Sequence, residues 1–131
     1  MAEPTPVEVD QVLRFVLDEI DSVPELEALL LLWQTRPATW NVADVARRLY
    51  IVPDQAQAVL ADLSRKGMLA VDPEREDSYR YASRSAERDA LMARTEAVYR
   101  RQIVRISTLI HSKPSSAVRD FARAFRFTKE K

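Results

Sequence analysis

The sequence lacks cysteine, and its 131 residues include only one glycine and one histidine. Without cysteine the chain has no disulfide bond, no thiolate ligand for zinc and no thiol nucleophile. A single glycine excludes a glycine-rich loop that could hold a phosphate. The only histidine, His111, lies at the end of a predicted helix, where the helix dipole stabilises a cationic side chain. We therefore expect no enzyme, no metal site and no cofactor.

Long apolar runs and targeting signals are missing as well. The longest apolar run covers residues 28–33, whereas a membrane-spanning helix needs about 20 residues. Residues 1–10 contain neither the basic stretch nor the apolar run of a signal peptide. Alanine, leucine, arginine and glutamate are abundant and 47% of the chain is apolar, which favours a mostly helical folded domain. We expect a soluble cytoplasmic protein without a membrane partner.

Two short helical patterns, joined by a tight connection, lie between Val42 and Gly67. The apolar positions of the two patterns are Val42, Val45, Ala46 and Leu49, then Ala56, Val59, Leu60 and Leu63. Both sets recur at helical spacing. Asn41 can cap the first helix, and Pro53 suits the first turn of the second, where its missing N–H needs no partner. Gly67 follows two cations, as is typical of a helix end. This pattern predicts a helix-turn-helix.

The segment resembles the helix-turn-helix of winged-helix transcriptional regulators of the broad MarR-like and ArsR-like kind. The matching residues are Ala46, Leu49, Ile51, Val59, Leu60, Leu63 and the run Arg65-Lys66-Gly67-Met68-Leu69. The resemblance covers about residues 24–82. Tyr50 departs from it, because this position is often glycine in such motifs. The resemblance implies a regulator that binds double-stranded DNA as a homodimer, with its terminal extensions forming the dimer interface.

The segments around this motif predict further elements. Thr5 and Ser22 are each followed by proline within two residues and by glutamate three residues later, so each should cap a helix. Short strands are predicted over residues 38–40, 68–71 and 78–81, with a polar turn over residues 72–77. Tyr79 and Tyr81 fall on one face of the last strand. The two later strands are the predicted wing.

The C-terminal third predicts two helices. One long helix should cover residues 85–111, and a last helix should cover residues 116–127. The last one carries a stripe of cations, Arg119, Arg123 and Arg126. Apolar residues occur on two adjoining sides of the long helix, a wider band than a small core covers. The predicted fold is therefore mainly α: a winged helix-turn-helix with a small β-hairpin wing and helical extensions at both ends.

Three regions follow from this pattern. An N-terminal amphipathic helix is expected within residues 1–22, the winged helix-turn-helix domain within residues 23–83, and a C-terminal helical dimerisation region within residues 84–131. Although the formal net charge is zero, residues 1–46 carry nine acids and two bases, whereas residues 84–131 carry five acids and twelve bases. The basic C-terminal helix could therefore contact DNA or the acidic N-terminal helix. Solvated helix faces would explain the same distribution.

The predicted DNA-binding residues come from three elements. They are Arg47 and Arg48 on the first helix of the motif, Gln55, Gln57 and Ala58 on the second, and Arg75 and Arg80 on the wing. Glutamine can bond adenine edges in the major groove, and arginine can contact phosphates. Arg65 and Lys66 at the far end of the second helix are explained by the helix dipole alone. Asp54 and Asp62 would repel phosphates if they faced outward.

Two functions remain open at this point. The first is a DNA-binding transcriptional regulator that acts as a homodimer, and the alternative is a winged-helix adaptor that binds proteins and not DNA. The sequence names neither an operator nor a small-molecule effector, and it does not distinguish a repressor from an activator. Salt-dependent binding to random DNA would separate the two functions.

Overall fold

The computed structural model describes residues 3–83 and 85–113 of the chain. This part is mainly helical and contains one small sheet. The elements in chain order are α1 (Pro6–Glu19), α2 (Val23–Gln34), β1 (Trp40–Asn41), α3 (Val42–Leu49), α4 (Pro53–Arg65), β2 (Leu69–Asp72), β3 (Arg75–Tyr81), α5 (Ala86–Arg101) and α6 (Ile103–His111). The strands form one antiparallel sheet in the order β1-β3-β2. The predicted mainly α fold with a hairpin wing is confirmed.

Short polar side chains start the first three helices. The Glu8 N–H donates to Thr5 Oγ1 at 3.1 Å, and Glu8 accepts from the Thr5 N–H at 3.0 Å, which completes the predicted capping box of α1. Ser22 caps α2, but the Glu25 carboxylate accepts from the N–H of Asp21 rather than from that of the cap residue. Asn41 caps α3 as predicted.

Helix α2 forms the centre of the core. Almost every residue from Glu25 to Trp33 is buried, because α3, α4, α5 and β3 all pack around this helix. Such a helix is apolar on all sides instead of along one stripe. Trp33, at its end, meets the ring of Tyr81 edge to face, with the ring centroids 5.1 Å apart. Tyr79 and Tyr81 are both buried, as the predicted strand face requires.

The end of α4 follows the expectation for Gly67. The Met68 N–H donates to the Leu63 carbonyl and the Gly67 N–H donates to the Ser64 carbonyl, both at 3.0 Å. These two bonds make a Schellman motif, which needs a left-handed residue after the helix. Gly67 supplies that residue with φ 82°, and the chain then leaves directly into β2.

The end of α3 has the same pattern with a different residue. The Ile51 N–H donates to the Ala46 carbonyl at 3.0 Å, and the Tyr50 N–H donates to the Arg47 carbonyl at 3.4 Å. Tyr50 takes the left-handed position, with φ 58° and ψ 43°. A residue with a Cβ rarely adopts this conformation. The departure from glycine in the sequence is therefore not accompanied by a change of backbone geometry.

The wing differs from its prediction in length. The polar run 72–77 is predicted as a turn, whereas β2 continues to Asp72 and β3 already begins at Arg75. Asp72 pairs with Arg75 across the hairpin, next to an irregularity between Val71 and Asp72. Backbone pairing holds these charged residues in strands, although their side chains show no alternation of apolar and polar character. Strand β3, the second strand of the hairpin, is thus seven residues long.

The single long helix predicted over residues 85–111 is wrong, because two helices occupy this range. Gln102, with φ −130° and ψ 43°, separates α5 from α6. Val98 before the bend and Ile106 after it are both fully buried, and α1 packs against both helices. The bend therefore lets two adjoining apolar sides face the same neighbour. The helix predicted over residues 116–127, with its arginine stripe, lies outside the described residues.

Candidate nucleic-acid interface

Helix α4 has one buried side and one exposed polar side. Its buried positions are Ala56, Val59, Leu60 and Leu63. The residues predicted to read DNA, Gln55, Gln57 and Ala58, are all exposed. This separation follows from the helical spacing of the apolar residues. Gln57 also donates a long hydrogen bond of 3.4 Å to the hydroxyl group of Tyr79, so it bridges from α4 to the wing strand β3.

The four predicted phosphate-binding arginines are exposed as well. Arg47 forms an ion pair with Asp44 on its own helix, and this contact lowers the charge that it can offer to a ligand. Arg48, Arg75 and Arg80 make no ion pair and no side-chain hydrogen bond with the described residues. Among the described residues, these three guanidinium groups are therefore exposed and unpaired, one on α3 and two on the wing strand β3.

Acidic side chains limit the positive charge of this surface. Glu74, Glu76 and Asp77 are exposed at the tip of the wing, directly beside Arg75 in sequence. Arg80 lies further along β3, away from this cluster. Asp54 is exposed in the first turn of α4, where a carboxylate also stabilises the helix N-terminus. Attraction to phosphate is thus stronger at the base of the wing than at its tip.

The C-terminal end of α4 is bound to the connection between α1 and α2 by a cluster around Lys66. Lys66 Nζ lies 2.9 Å from Glu25 Oε1, 3.0 Å from Asp62 Oδ2 and 3.2 Å from Asp21 Oδ2, and it donates to the Glu19 carbonyl. The Glu25 side chain is 3% exposed. The assignment of Lys66 to the helix dipole alone is therefore wrong. Its carboxylate partners lie up to 45 residues away, which no local sequence pattern reveals.

The same cluster settles the direction of Asp62. Asp62 pairs with both Lys66 and Arg65, and its side chain is 19% exposed, so it does not point freely away from α4. Asp21, Glu25 and Asp62 are the one group of carboxylates close enough to share a metal ion within the described residues. The ammonium group of Lys66 lies among them and supplies their counter-charge.

The base of the wing is fastened to α5 through one carboxylate. The hydroxyl groups of Tyr81 and Ser83 both donate to Asp89 Oδ1 at 2.7 Å. Burial, together with the bond to the Asp89 carboxylate, raises the pKa of Tyr81 to about 12. The same two hydrogen bonds hold the pKa of Asp89 below its usual value. Asp89 is thus ionised near neutral pH and fixes the strand that carries Arg80.

Helices α1 and α6 expose several large apolar side chains. The large exposed apolar side chains there are Val7, Leu17, Ile103 and Val104. Between the two helices runs an open groove of about 490 Å³, whose apolar lining comes from Leu13, Leu17 and Leu109. Val104 on α6 is 75% exposed. Contiguous patches of exposed apolar side chains mark sites of interaction with other molecules.

A smaller cleft of about 240 Å³ lies between α2, α3 and α5, lined among others by Glu27, Arg48 and Tyr99. Burial and the nearby Glu27 charge raise the pKa of Tyr99. The sequence predicts no pocket here, because its walls come from three distant segments.

Among the helices of the described residues, none combines the length and apolar character that crossing a membrane requires.

No protein-family profile matches the sequence, and no curated protein sequence matches it either. Solved structures do resemble it in fold. A MarR family protein from Mycobacterium tuberculosis has a TM-score of 0.52 at 24% identity, and the match covers 94% of this chain and 86% of that one. A multiple antibiotic-resistance repressor (MarR) from Listeria monocytogenes has a TM-score of 0.51 at 11% identity, with 95% and 82% covered.

A third similar structure is MepR, a transcription regulator of the multidrug efflux pump MepA from Staphylococcus aureus. Its TM-score is 0.51 at 14% identity, and the match covers 95% of this chain and 87% of MepR. At identities this low, the structural similarity shows the fold alone. The resemblance drawn from the residues of the helix-turn-helix is thereby confirmed at that level: the chain has a MarR-like winged helix.

Proposed function

We propose that this winged-helix chain is a transcriptional regulator that binds double-stranded DNA as a homodimer. The observation that carries the proposal is the exposed polar side of α4 in a MarR-like winged helix. The same domain exposes Arg48, Arg75 and Arg80, which make no ion pair with the described residues. Sequence-specific binding combines side chains that read base edges with cations that contact phosphates. The regulatory roles of the similar folds support the same function.

In this proposal α4 enters the major groove. Gln55 and Gln57 meet base edges, and adenine is the base whose edge matches a glutamine side chain. Ala58, the small exposed residue beside them, fits against a thymine methyl group. The amide of Gln57 is also held near Tyr79, which restricts its orientation before DNA arrives.

The arginines act on the sugar-phosphate backbone. Arg47 and Arg48 belong to α3, the helix that crosses the backbone in a helix-turn-helix complex. Arg48 is the stronger candidate of the two, because Arg47 is already paired with Asp44. On the wing, Arg80 is expected to contribute more than Arg75, which lies beside the exposed carboxylates at the wing tip.

The homodimer is proposed to form through α1, α5 and α6, so that residues 1–22 and 84–131 associate and residues 23–83 bind DNA. The apolar groove between α1 and α6 and the exposed Val104 support this arrangement. Light scattering at micromolar concentration should give twice the 15.0 kDa mass of the chain. Val104→Glu should shift the protein to the monomer without changing its helical content. A monomeric wild-type protein at all concentrations would contradict the proposal.

The DNA-binding experiment compares a phosphate contact with a base contact. A preferred site is first selected from a random DNA pool, and fluorescence anisotropy then measures binding to that site and to random DNA over a salt series. Arg80→Ala should weaken binding to both DNAs about equally. It should also reduce the slope of log affinity against log salt concentration, the salt slope, by roughly one unit. Gln57→Ala should cost about 1–3 kcal/mol on the preferred site and little on random DNA.

The alternative function is a winged-helix adaptor that binds a protein and not DNA. The exposed carboxylates Glu74, Glu76 and Asp77 at the wing tip favour it, because they repel phosphates. The same experiment decides between the two. If the wild-type protein binds neither DNA at low salt, the regulator proposal fails and the adaptor replaces it. If it binds while both variants behave like the wild type, DNA is held on another surface.

A further inference from the structure

Tyr50 combines an unfavourable backbone conformation with almost complete exposure. Its φ of 58° lies in the left-handed region, where a Cβ crowds the following carbonyl oxygen. Its side chain is 95% exposed, so it gains almost nothing from burial. The hydroxyl group makes no hydrogen bond with the described residues. Neither the backbone nor the packing of the fold therefore favours tyrosine here.

The end of α4 shows what the fold alone requires at this position. Gly67 holds the same place in the same hydrogen-bond motif, with φ 82°. A Cβ added to Gly67 would meet no atom within 4 Å, so glycine is present there for its backbone freedom and not for lack of space. The chain uses glycine where only the turn matters. At Tyr50 neither the turn nor a contact with the described residues accounts for the side chain.

The position of Tyr50 indicates what it contacts. It stands between the exposed Arg48 at the end of α3 and Gln55 in the first turn of α4. When a helix-turn-helix binds DNA, the first helix crosses the backbone and the N-terminal residues of the second enter the groove. The turn between them then lies at the groove edge, beside the phosphates.

We propose that Tyr50 donates its hydroxyl hydrogen to a phosphate oxygen of bound DNA, an inference that rests on the DNA-binding function proposed above. The contact carries no sequence information, because every nucleotide offers the same phosphate. It also carries no charge, so it releases no counterion when it forms. The glutamines read sequence and the arginines carry charge, so the proposed Tyr50 contact differs from both.

Tyr50→Phe tests the hydroxyl group alone. A hydrogen bond to a charged group contributes about 1.5–3 kcal/mol, so affinity should fall roughly tenfold or more. The loss should be equal on the selected site and on random DNA, and the salt slope should stay at its wild-type value. Arg80→Ala is the matched contrast, because it should weaken both DNAs and also reduce the slope. Val52→Ala, at an exposed position of the same turn, should leave affinity unchanged.

Tyr50→Gly separates binding from folding. Its melting temperature should equal or exceed that of the wild type, because glycine relieves the left-handed strain at this position. Its affinity for both DNAs should nevertheless fall at least as far as that of Tyr50→Phe. A lower melting temperature for Tyr50→Gly would show that the side chain supports the fold, and this would overturn the argument from exposure.

The remaining outcomes are also decisive. If the wild type binds DNA and Tyr50→Phe binds equally well, the phosphate contact is refuted while the proposed function stands. A loss confined to the selected site would make Tyr50 a base reader and refute the assignment to phosphate. If the wild-type protein binds no DNA, the proposed function itself fails, and the inference about Tyr50 fails with it.

Discussion

The two helices of the helix-turn-helix end with the same backbone hydrogen bonds and opposite surroundings. The end of α4 is bound to the rest of the molecule, because Lys66 joins it to the carboxylates of Asp21 and Glu25 and to a carbonyl of α1. The end of α3 projects Tyr50 into solvent. Equivalent positions thus carry glycine where the helix end is anchored by ion pairs and a strained tyrosine where the side chain is exposed.

This difference shows which part of the motif belongs to the fold and which part is available for a ligand. The C-terminal half of α4 is fixed by burial and by ion pairs. Its N-terminal half and the preceding turn expose Tyr50, Gln55 and Gln57. A recognition surface needs such a division, since groups held on a rigid element lose little freedom when they bind.

The largest expected effect lies at the buried side of α4. Leu63 is fully buried, and its carbonyl accepts the hydrogen bond from the Met68 N–H that closes the Schellman motif of α4. Ala46 accepts the equivalent bond from the Ile51 N–H at the end of α3. Leu63→Ala, which copies the α3 residue into α4, should cost about 2–5 kcal/mol through the cavity it leaves. Gln57→Ala on the exposed side should change stability by about 0.5 kcal/mol or less.

Urea denaturation of these two variants measures both values. A similar loss of stability for Leu63→Ala and Gln57→Ala would mean that α4 is rotated relative to the arrangement described here. The anchored end would then not be distinct from the exposed one.

Local interactions explain why much of this fold could be predicted from the sequence. Caps such as Thr5 and Asn41 bond within four residues, and Gly67 is required by the conformation of its own backbone. The buried side of α4 follows from helical spacing alone. The seven predicted DNA-binding residues are all exposed, yet exposure does not establish a contact, and their role stays a prediction.

The features that the sequence did not predict depend on distant neighbours. The bend at Gln102 has no proline or glycine to mark it, and the helix that packs against both sides of it, α1, lies far away in the sequence. Asp21 and Glu25, two partners of Lys66, precede it by more than 40 residues. The early start of β3 at Arg75 comes from backbone pairing with β2, to which the side chains give no clue.

The ion cluster at the end of α4 provides the next test. Lys66→Met removes the ammonium group and leaves Glu25 buried without its counter-charge. The expected cost is about 3 kcal/mol, at the low end for a broken buried pair because Lys66 keeps some solvent contact. Arg65→Ala is the matched control: it breaks an exposed pair with the same Asp62 and should cost about 0–1 kcal/mol. Equal stability of the two variants would contradict an anchoring role.

The smallest expected effect concerns Gly67 itself and tests the comparison directly. Gly67→Ala should destabilise the protein by about 1 kcal/mol, because alanine must adopt the left-handed conformation. A steric clash does not contribute, since the added Cβ has no neighbour within 4 Å. Gly67→Asn should cost less, because asparagine tolerates this region better than alanine does. If urea denaturation finds both variants as stable as the wild type, the left-handed position carries no measurable strain in this chain. Tyr50 would then be an ordinary exposed residue, and the contrast between the two helix ends would lose its energetic basis.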